Sequence, residues 1–129
     1  MKQVEPISIL VVDDEPGILA LVCRCLDDGC FTLTEASSGK EALQRMATDP
    51  AFDLLISDLR MPEMEGDELV RQVRKLEPGL KVLYLTSYAV SLFEAKQQLW
   101  ADEAYLEKPF TRQGLREAVA LLLFGRTTF

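Results

Sequence analysis

Ile7-Ser8-Ile9-Leu10-Val11-Val12-Asp13-Asp14 is the stretch on which the fold turns. A β-branched, almost unbroken apolar run ends abruptly at two adjacent carboxylates. A strand with one solvated face alternates apolar and polar residues, whereas a run like this one reads as a parallel strand buried on both faces. Parallel strands need crossover connections, usually helices. The next segment fits that need. Pro16 suits the first turn of a helix, with acidic residues just before it. Ile18, Leu19, Val22 and Leu26 form an apolar stripe to about Asp27, ending before Gly29.

The same unit recurs along the chain. Phe31–Ala36 alternates and predicts a second strand at a sheet edge. Ser38 and Glu41 have capping-box spacing and open a helix through about Thr48. Phe52–Ser57 predicts a third strand, ended by Asp58. Met61–Gly66 reads as a loop, followed by a helix carrying Leu69, Val70, Val73 and Leu76. Pro78-Gly79 is a turn. Lys81–Thr86 predicts a fourth strand, and Ser91-Leu92-Phe93-Glu94 caps a helix to about Trp100. Ala104–Glu107 is a short fifth strand. Lys108-Pro109-Phe110-Thr111 then turns into a last helix with Leu115, Ala118, Val119 and Leu122 inward. Five strand–helix units predict an α/β open sheet with five helices and right-handed crossovers. A chain of 129 residues with no internal repeat or linker is one domain, with its core over 7–124. The last helix runs almost to Phe129, so no output domain is expected after it.

Composition narrows the chemistry. Lys and Arg number 14 against 21 Asp and Glu, for a formal net charge of -7. That balance disfavours nucleic acid and anionic membrane surfaces as ligands. The chain has no His, which excludes His-dependent triads, His zinc sites and phosphohistidine on this chain. Cys23, Cys25 and Cys30 lack disulfide or zinc spacing and read as reduced thiols, some in the core. The N-terminus has no signal-peptide pattern, and the apolar run Ala118–Phe124 is too short to span a bilayer. A cytoplasmic location is expected.

Ligands of such sheets bind at the carboxyl ends of the strands, near the point where strand order reverses. Asp13 and Asp14 follow the first strand, Asp58 ends the third, Thr86 the fourth, and Lys108 follows the fifth. Clustered carboxylates repel, so one or more should have a raised pKa unless a cation joins them. Hard oxygen ligands suit Mg²⁺, or Mn²⁺, together with a phosphate. Lys108 would offset charge and grip a phosphoryl oxygen, and the Thr86 hydroxyl could donate to the same group. A carboxylate there can attack phosphorus to give an acyl phosphate.

These residues carry a family resemblance. Asp13-Asp14 after Ile9-Leu10-Val11-Val12, Asp58 with Met61-Pro62 and Gly66 beyond it, Thr86-Ser87, and Tyr105 before Lys108-Pro109-Phe110 resemble the receiver domain of two-component response regulators, close in layout to the single-domain chemotaxis regulator. The resemblance covers roughly Ile7 to Phe124. It implies a flavodoxin-like sheet of order 2-1-3-4-5 with helices on both faces. It implies that Asp58 is the phosphoacceptor, with Asp14, Asp58 and the backbone carbonyl of Arg60 as Mg²⁺ ligands and Asp13 holding metal-bound water. Lys108 would pair with the phosphoryl group, Thr86 would swing toward it, and Tyr105 would turn inward after Thr86. Arg60, Ser87 and Tyr88 would border the pocket and influence how fast water reaches it. The Lys108-Pro109 bond would be cis. The donor would be a histidine kinase or a phosphotransfer protein, and the readout a changed face of fourth helix, fifth strand and last helix. The chain would catalyse its own phosphorylation and slow dephosphorylation as a signalling switch, with no metabolic reaction.

The receiver of a longer hybrid sensor kinase fits the segment Leu106–Phe110 about as well, and a scaffold that needs no phosphate is the rival of a different class. An aspartyl phosphatase would need Asp-x-Asp rather than adjacent Asp13-Asp14, and a flavodoxin-like cofactor binder would need a phosphate loop after the first strand. Leu92, Phe93 and Trp100 read as partly buried against the sheet. Leu121, Leu123 and Phe124 widen the apolar arc of the last helix and suggest a partner, or a homodimer, through that face. Ala101-Asp102 stands where many receivers carry Gly-Ala.

Overall fold

Each central strand feeds two cores at once, because successive side chains point to opposite faces. In β1 (Ile7–Val12), Leu10 and Val12 enter one core while Ile9 and Val11 enter the other. β3 (Leu54–Asp58) divides Leu55 from Leu54 and Ile56 in the same way, and β4 (Lys81–Thr86) divides Val82 and Tyr84 from Leu83 and Leu85. The computed structural model describes residues 6–49, 51–87 and 103–125. Its sheet is completed by β2 (Phe31–Ala36) and β5 (Glu103–Glu107) at the two edges. All pairings are parallel and the order is β2-β1-β3-β4-β5.

Helices cover both faces. α2 (Gly39–Thr48) and α3 (Gly66–Leu76) supply Ala42, Leu69, Val70 and Val73 to the first core. α1 (Pro16–Leu26) and α4 (Arg112–Phe124) supply Leu19, Val22, Leu115 and Val119 to the second. The described elements are therefore five strands and four helices, not five of each. The helix expected over 91–100, with Leu92, Phe93 and Trp100, lies outside the described residues, as do Ala101 and Asp102.

Local chemistry sets the ends. Ser38 Oγ accepts from the Glu41 amide at 3.1 Å, while Glu41 reaches back to the Ser37 amide at 2.9 Å. The capping box thus closes one residue earlier than its usual form. Thr111 caps α4 through the Gly114 amide at 2.9 Å. β3 begins at Leu54 rather than Phe52. Asp53 is latched to Ser8 by its own amide and by its carboxylate, both at 2.8 Å, which keeps Phe52 and Asp53 out of the ladder. Cys25 is buried, Cys23 partly so and Cys30 exposed, all as free thiols.

β5 begins at Glu103, one residue before the apolar pattern. The side chain of Glu103 is only 1% exposed, and Arg74 of α3 meets it at 3.0 Å. Arg74 also donates to the Pro78 and Leu80 carbonyls at 3.2 and 2.6 Å, so one guanidinium ties α3, the following turn and the edge strand together. Removing one partner of such a pair leaves a bare buried charge. Glu103→Ala should cost about 3–5 kcal/mol in urea unfolding, and Arg74→Met with Glu103→Leu should recover most of it. A single-variant loss below about 1 kcal/mol would show that the pair does not hold the edge.

Candidate functional site: an aspartate cluster at the carboxyl ends of the strands

The strand order reverses between β1 and β3, and the acids sit at that reversal. Asp13 follows β1 and is fully buried, its amide donating to the Ala36 carbonyl at 3.2 Å. Asp58 is the last residue of β3, paired in register with Leu85, and is 7% exposed. Asp14 is exposed. Carboxylate oxygens of Asp13, Asp14 and Asp58 all lie within 4.8 Å of one another.

Lys108 is brought in by sheet geometry. Its amide donates to the Thr86 carbonyl at 2.8 Å, extending the β4–β5 ladder by one bond beyond β5. Its ammonium then reaches Asp13 at 3.0 Å and Asp58 at 3.4 Å. The other Asp13 oxygen accepts the Glu15 amide at 2.9 Å. The Lys108-Pro109 peptide is cis. Thr86 is fully buried at the end of β4, and Ser87 next to it is exposed. Tyr105 lies on β5 and is 38% exposed. Tyr88 lies outside the described residues.

The electrostatics are unbalanced. Burial pushes the Asp58 carboxyl up to about 6, the Asp13 charge adds to the rise, and Lys108 only partly opposes it. Burial works against the Lys108 ammonium too, but its hydrogen bond to Asp13 and the two nearby carboxylates outweigh that cost and hold its pKa above the ordinary value. Three formal negative charges face one positive charge, and Asp14 opens the cluster to solvent. Hard oxygens with a net deficit of positive charge and one open side fit a divalent ion such as Mg²⁺.

The loop after Asp58 is shaped by backbone contact. The Gly66 amide donates to the Leu59 carbonyl at 2.7 Å. A Cβ on Gly66 would collide with the Asp58 carbonyl oxygen and lie 3.0 Å from Leu59 Cα. Only glycine lets the start of α3 sit this close to the candidate nucleophile's backbone. The Ser57 hydroxyl donates to the same Asp58 carbonyl at 2.9 Å. The Arg60 side chain pairs with Glu65 at 3.2 Å. The sequence pattern brought out Gly66 as a motif position, but its steric reason needs the fold. Ser57 and Glu65 carried no signal of their own.

Two outcomes follow from this geometry. Because the folded pKa of Asp58 is raised, its contribution to stability is fully present below the ordinary carboxylate value and lost as pH rises through about 6. In EDTA at pH 7.5, Asp58→Asn should therefore be about 1–3 kcal/mol more stable than the parent chain, with the gain vanishing near pH 4. Equal stabilities at pH 7.5 would contradict the buried repulsion. Gly66→Ala should cost about 1–3 kcal/mol by thermal unfolding, since the collision is with backbone that cannot rotate away.

A profile of the response regulator receiver domain matches residues 9–120. The chain is 34% identical over 117 residues to the sensor kinase CckA of Brucella abortus, covering 90% of this chain and 12% of that protein. It is 36% identical to the transcriptional regulatory protein GlrR of Escherichia coli, covering 89% of this chain and 26% of that one. The chain thus spans only a fraction of the length of these relatives. Among solved structures, the chemotaxis response regulator CheY4 of Vibrio cholerae superposes with a TM-score of 0.80 at 32% identity, covering 92% of this chain and 100% of that one. Receiver domains bind Mg²⁺ at an acidic pocket of this kind and interact with histidine kinases or phosphotransfer proteins. Among the described residues no helix is long and apolar enough to cross a membrane. With a family profile running over nearly all of its sheet and helices, this chain belongs to the response regulator receiver domain family.

Proposed function

We propose that this chain is a phosphorylation-driven switch in which Asp58 accepts a phosphoryl group from the phosphohistidine of a cytoplasmic kinase or phosphotransfer protein. The observation that carries this reading is the clustering of the Asp58 carboxylate with the Lys108 ammonium, at 3.4 Å, and with the carboxylates of Asp13 and Asp14. An Asp58 oxygen attacks phosphorus, the phosphorus–nitrogen bond of the donor breaks, and its electron pair stays on the imidazole nitrogen.

Asp14, Asp58 and the Arg60 backbone carbonyl would hold Mg²⁺ or Mn²⁺, with Asp13 in its outer sphere. The ion supplies positive charge for the phosphoryl oxygens and orients them. Lys108 keeps its positive charge at the Asp58 oxygen and takes a phosphoryl oxygen when one arrives. Asp13 anchors Lys108 while the transfer occurs. Thr86, buried at the end of β4, would donate its hydroxyl to the new dianion. Tyr105, exposed on the adjacent β5, would move inward as Thr86 shifts. Ser87 and Tyr88, with Arg60, would border the route of water to the phosphoryl group. The phosphoryl group biases an equilibrium between two packings of this edge and does not build a new one. The exposed Leu121 and Phe124 of α4 support a protein partner, or a second copy, on that side.

Mass spectrometry after acetyl phosphate tests the reading. The parent chain should gain one phosphoryl mass with Mg²⁺ and none with EDTA, and Asp58→Asn should gain none. No gain with Mg²⁺ at any donor concentration would leave a phosphate-independent scaffold as the function.

A further inference from the structure

The first helical turn of α3 breaks a local rule beside the acid cluster. Its N-cap position holds Glu65, and the Glu65 side chain makes no capping hydrogen bond. Ser, Thr, Asp and Asn are the residues that cap well, because their short side chains fold back onto the free amides. Local misfits of this kind collect at functional sites. Here the longer side chain does something else. Both Glu65 oxygens take the same Arg60 nitrogen, at 3.3 and 3.2 Å. Among the described residues the Arg60 guanidinium has no other partner.

The backbone around this pair is tightly fixed. Arg60 follows Asp58 by two residues, and Glu65 precedes Gly66, whose amide is bonded to Leu59 and whose missing Cβ allows contact with the Asp58 carbonyl. Both ends of the Arg60–Glu65 pair are therefore anchored to the backbone that carries Asp58, while the side chains stay about half exposed, at 52% and 44%. An exposed pair of this kind is weak enough to be exchanged for a stronger anion. A phosphoryl dianion is such an anion, and arginine grips it well.

We propose that Glu65 is a positioning residue that holds the Arg60 guanidinium away from the phosphoryl group and so sets how long the Asp58 acyl phosphate survives. The inference rests on the phosphoacceptor reading above. With Glu65 in place, the phosphoryl group and Glu65 compete for one guanidinium, and the rim stays open to water. Without the Glu65 charge, Arg60 turns to the phosphoryl oxygens and covers them.

The test is the decay of the acyl phosphate, followed after removal of the donor in the presence of Mg²⁺. Incorporation of one phosphoryl group, measured first, reports on the phosphoacceptor reading alone. Given incorporation, Glu65→Gln should slow decay by roughly two- to fivefold, the range an exposed ion pair can supply. Glu63→Gln makes the same charge change in the same loop without touching Arg60, and should leave decay at the parent rate. In an Arg60→Ala background, which keeps the backbone carbonyl, Glu65→Gln should have no effect. Normal incorporation with unchanged decay in Glu65→Gln would overturn the inference, as would equal slowing in Glu63→Gln or slowing that persists with Arg60→Ala.

Discussion

The repulsion among Asp13, Asp14 and Asp58 is the constraint around which the rest of this protein is arranged. Three carboxylates within 4.8 Å would drive one another apart or take up protons in an isolated loop. They stay together because each hangs from a strand end or strand-adjacent turn whose backbone bonds are already committed. Lys108 relieves only part of the repulsion, spanning Asp13 and Asp58 from the end of the neighbouring ladder. Burial of Asp58 and the unrelieved part of the repulsion together push its carboxyl up to about 6. A group poised in this way costs stability at neutral pH and gains it back when a cation or phosphoryl chemistry changes the local charge.

A rigid support is needed to hold that arrangement. The central strands provide it by packing both faces, so that a shift of one strand would disturb two cores. The edge strand β5 is held differently. Its far end is pinned by the buried Arg74–Glu103 pair and its near end by the Lys108 amide on Thr86. The edge strand therefore depends on polar contacts at both ends, and its Tyr105 is exposed. An edge built this way is easier to re-register locally than the apolar centre, because ion pairs and single hydrogen bonds can be exchanged while close packing cannot be partly undone.

The loop from Leu59 to Glu65 shows how little room remains around Asp58. Glycine at 66 is set by a backbone collision, and the Ser57 hydroxyl takes the same Asp58 carbonyl that Gly66 approaches. At the surface of this loop Arg60 and Glu65 neutralise each other. Charge on the chain as a whole is -7, so a free guanidinium at this rim would be unusual and its pairing matters to any anion that arrives.

Much of the framework is legible in single stretches of the chain. Ile7–Val12, Leu54–Ser57 and Val82–Leu85 are apolar on both faces, and a period of two with no polar side admits little except a doubly covered parallel strand. The acids and the lysine were legible because each interrupts or follows such a run, and strand ends in one sheet share one rim. Other features were decided only by tertiary contact. Phe52 and Asp53 look like strand until Ser8 claims the Asp53 carboxylate. Glu103 looks solvated until Arg74, 29 residues away, buries it. Gly66 carries no size label for the Asp58 carbonyl it must clear, and Glu65 resembles any surface acid until it is seen to forgo its cap for Arg60. The division has a physical cause. Hydrophobic periodicity is a property of neighbours along the chain, whereas charge pairing, steric clearance and the choice of hydrogen-bond partner depend on distances that exist only after the strands and helices have packed.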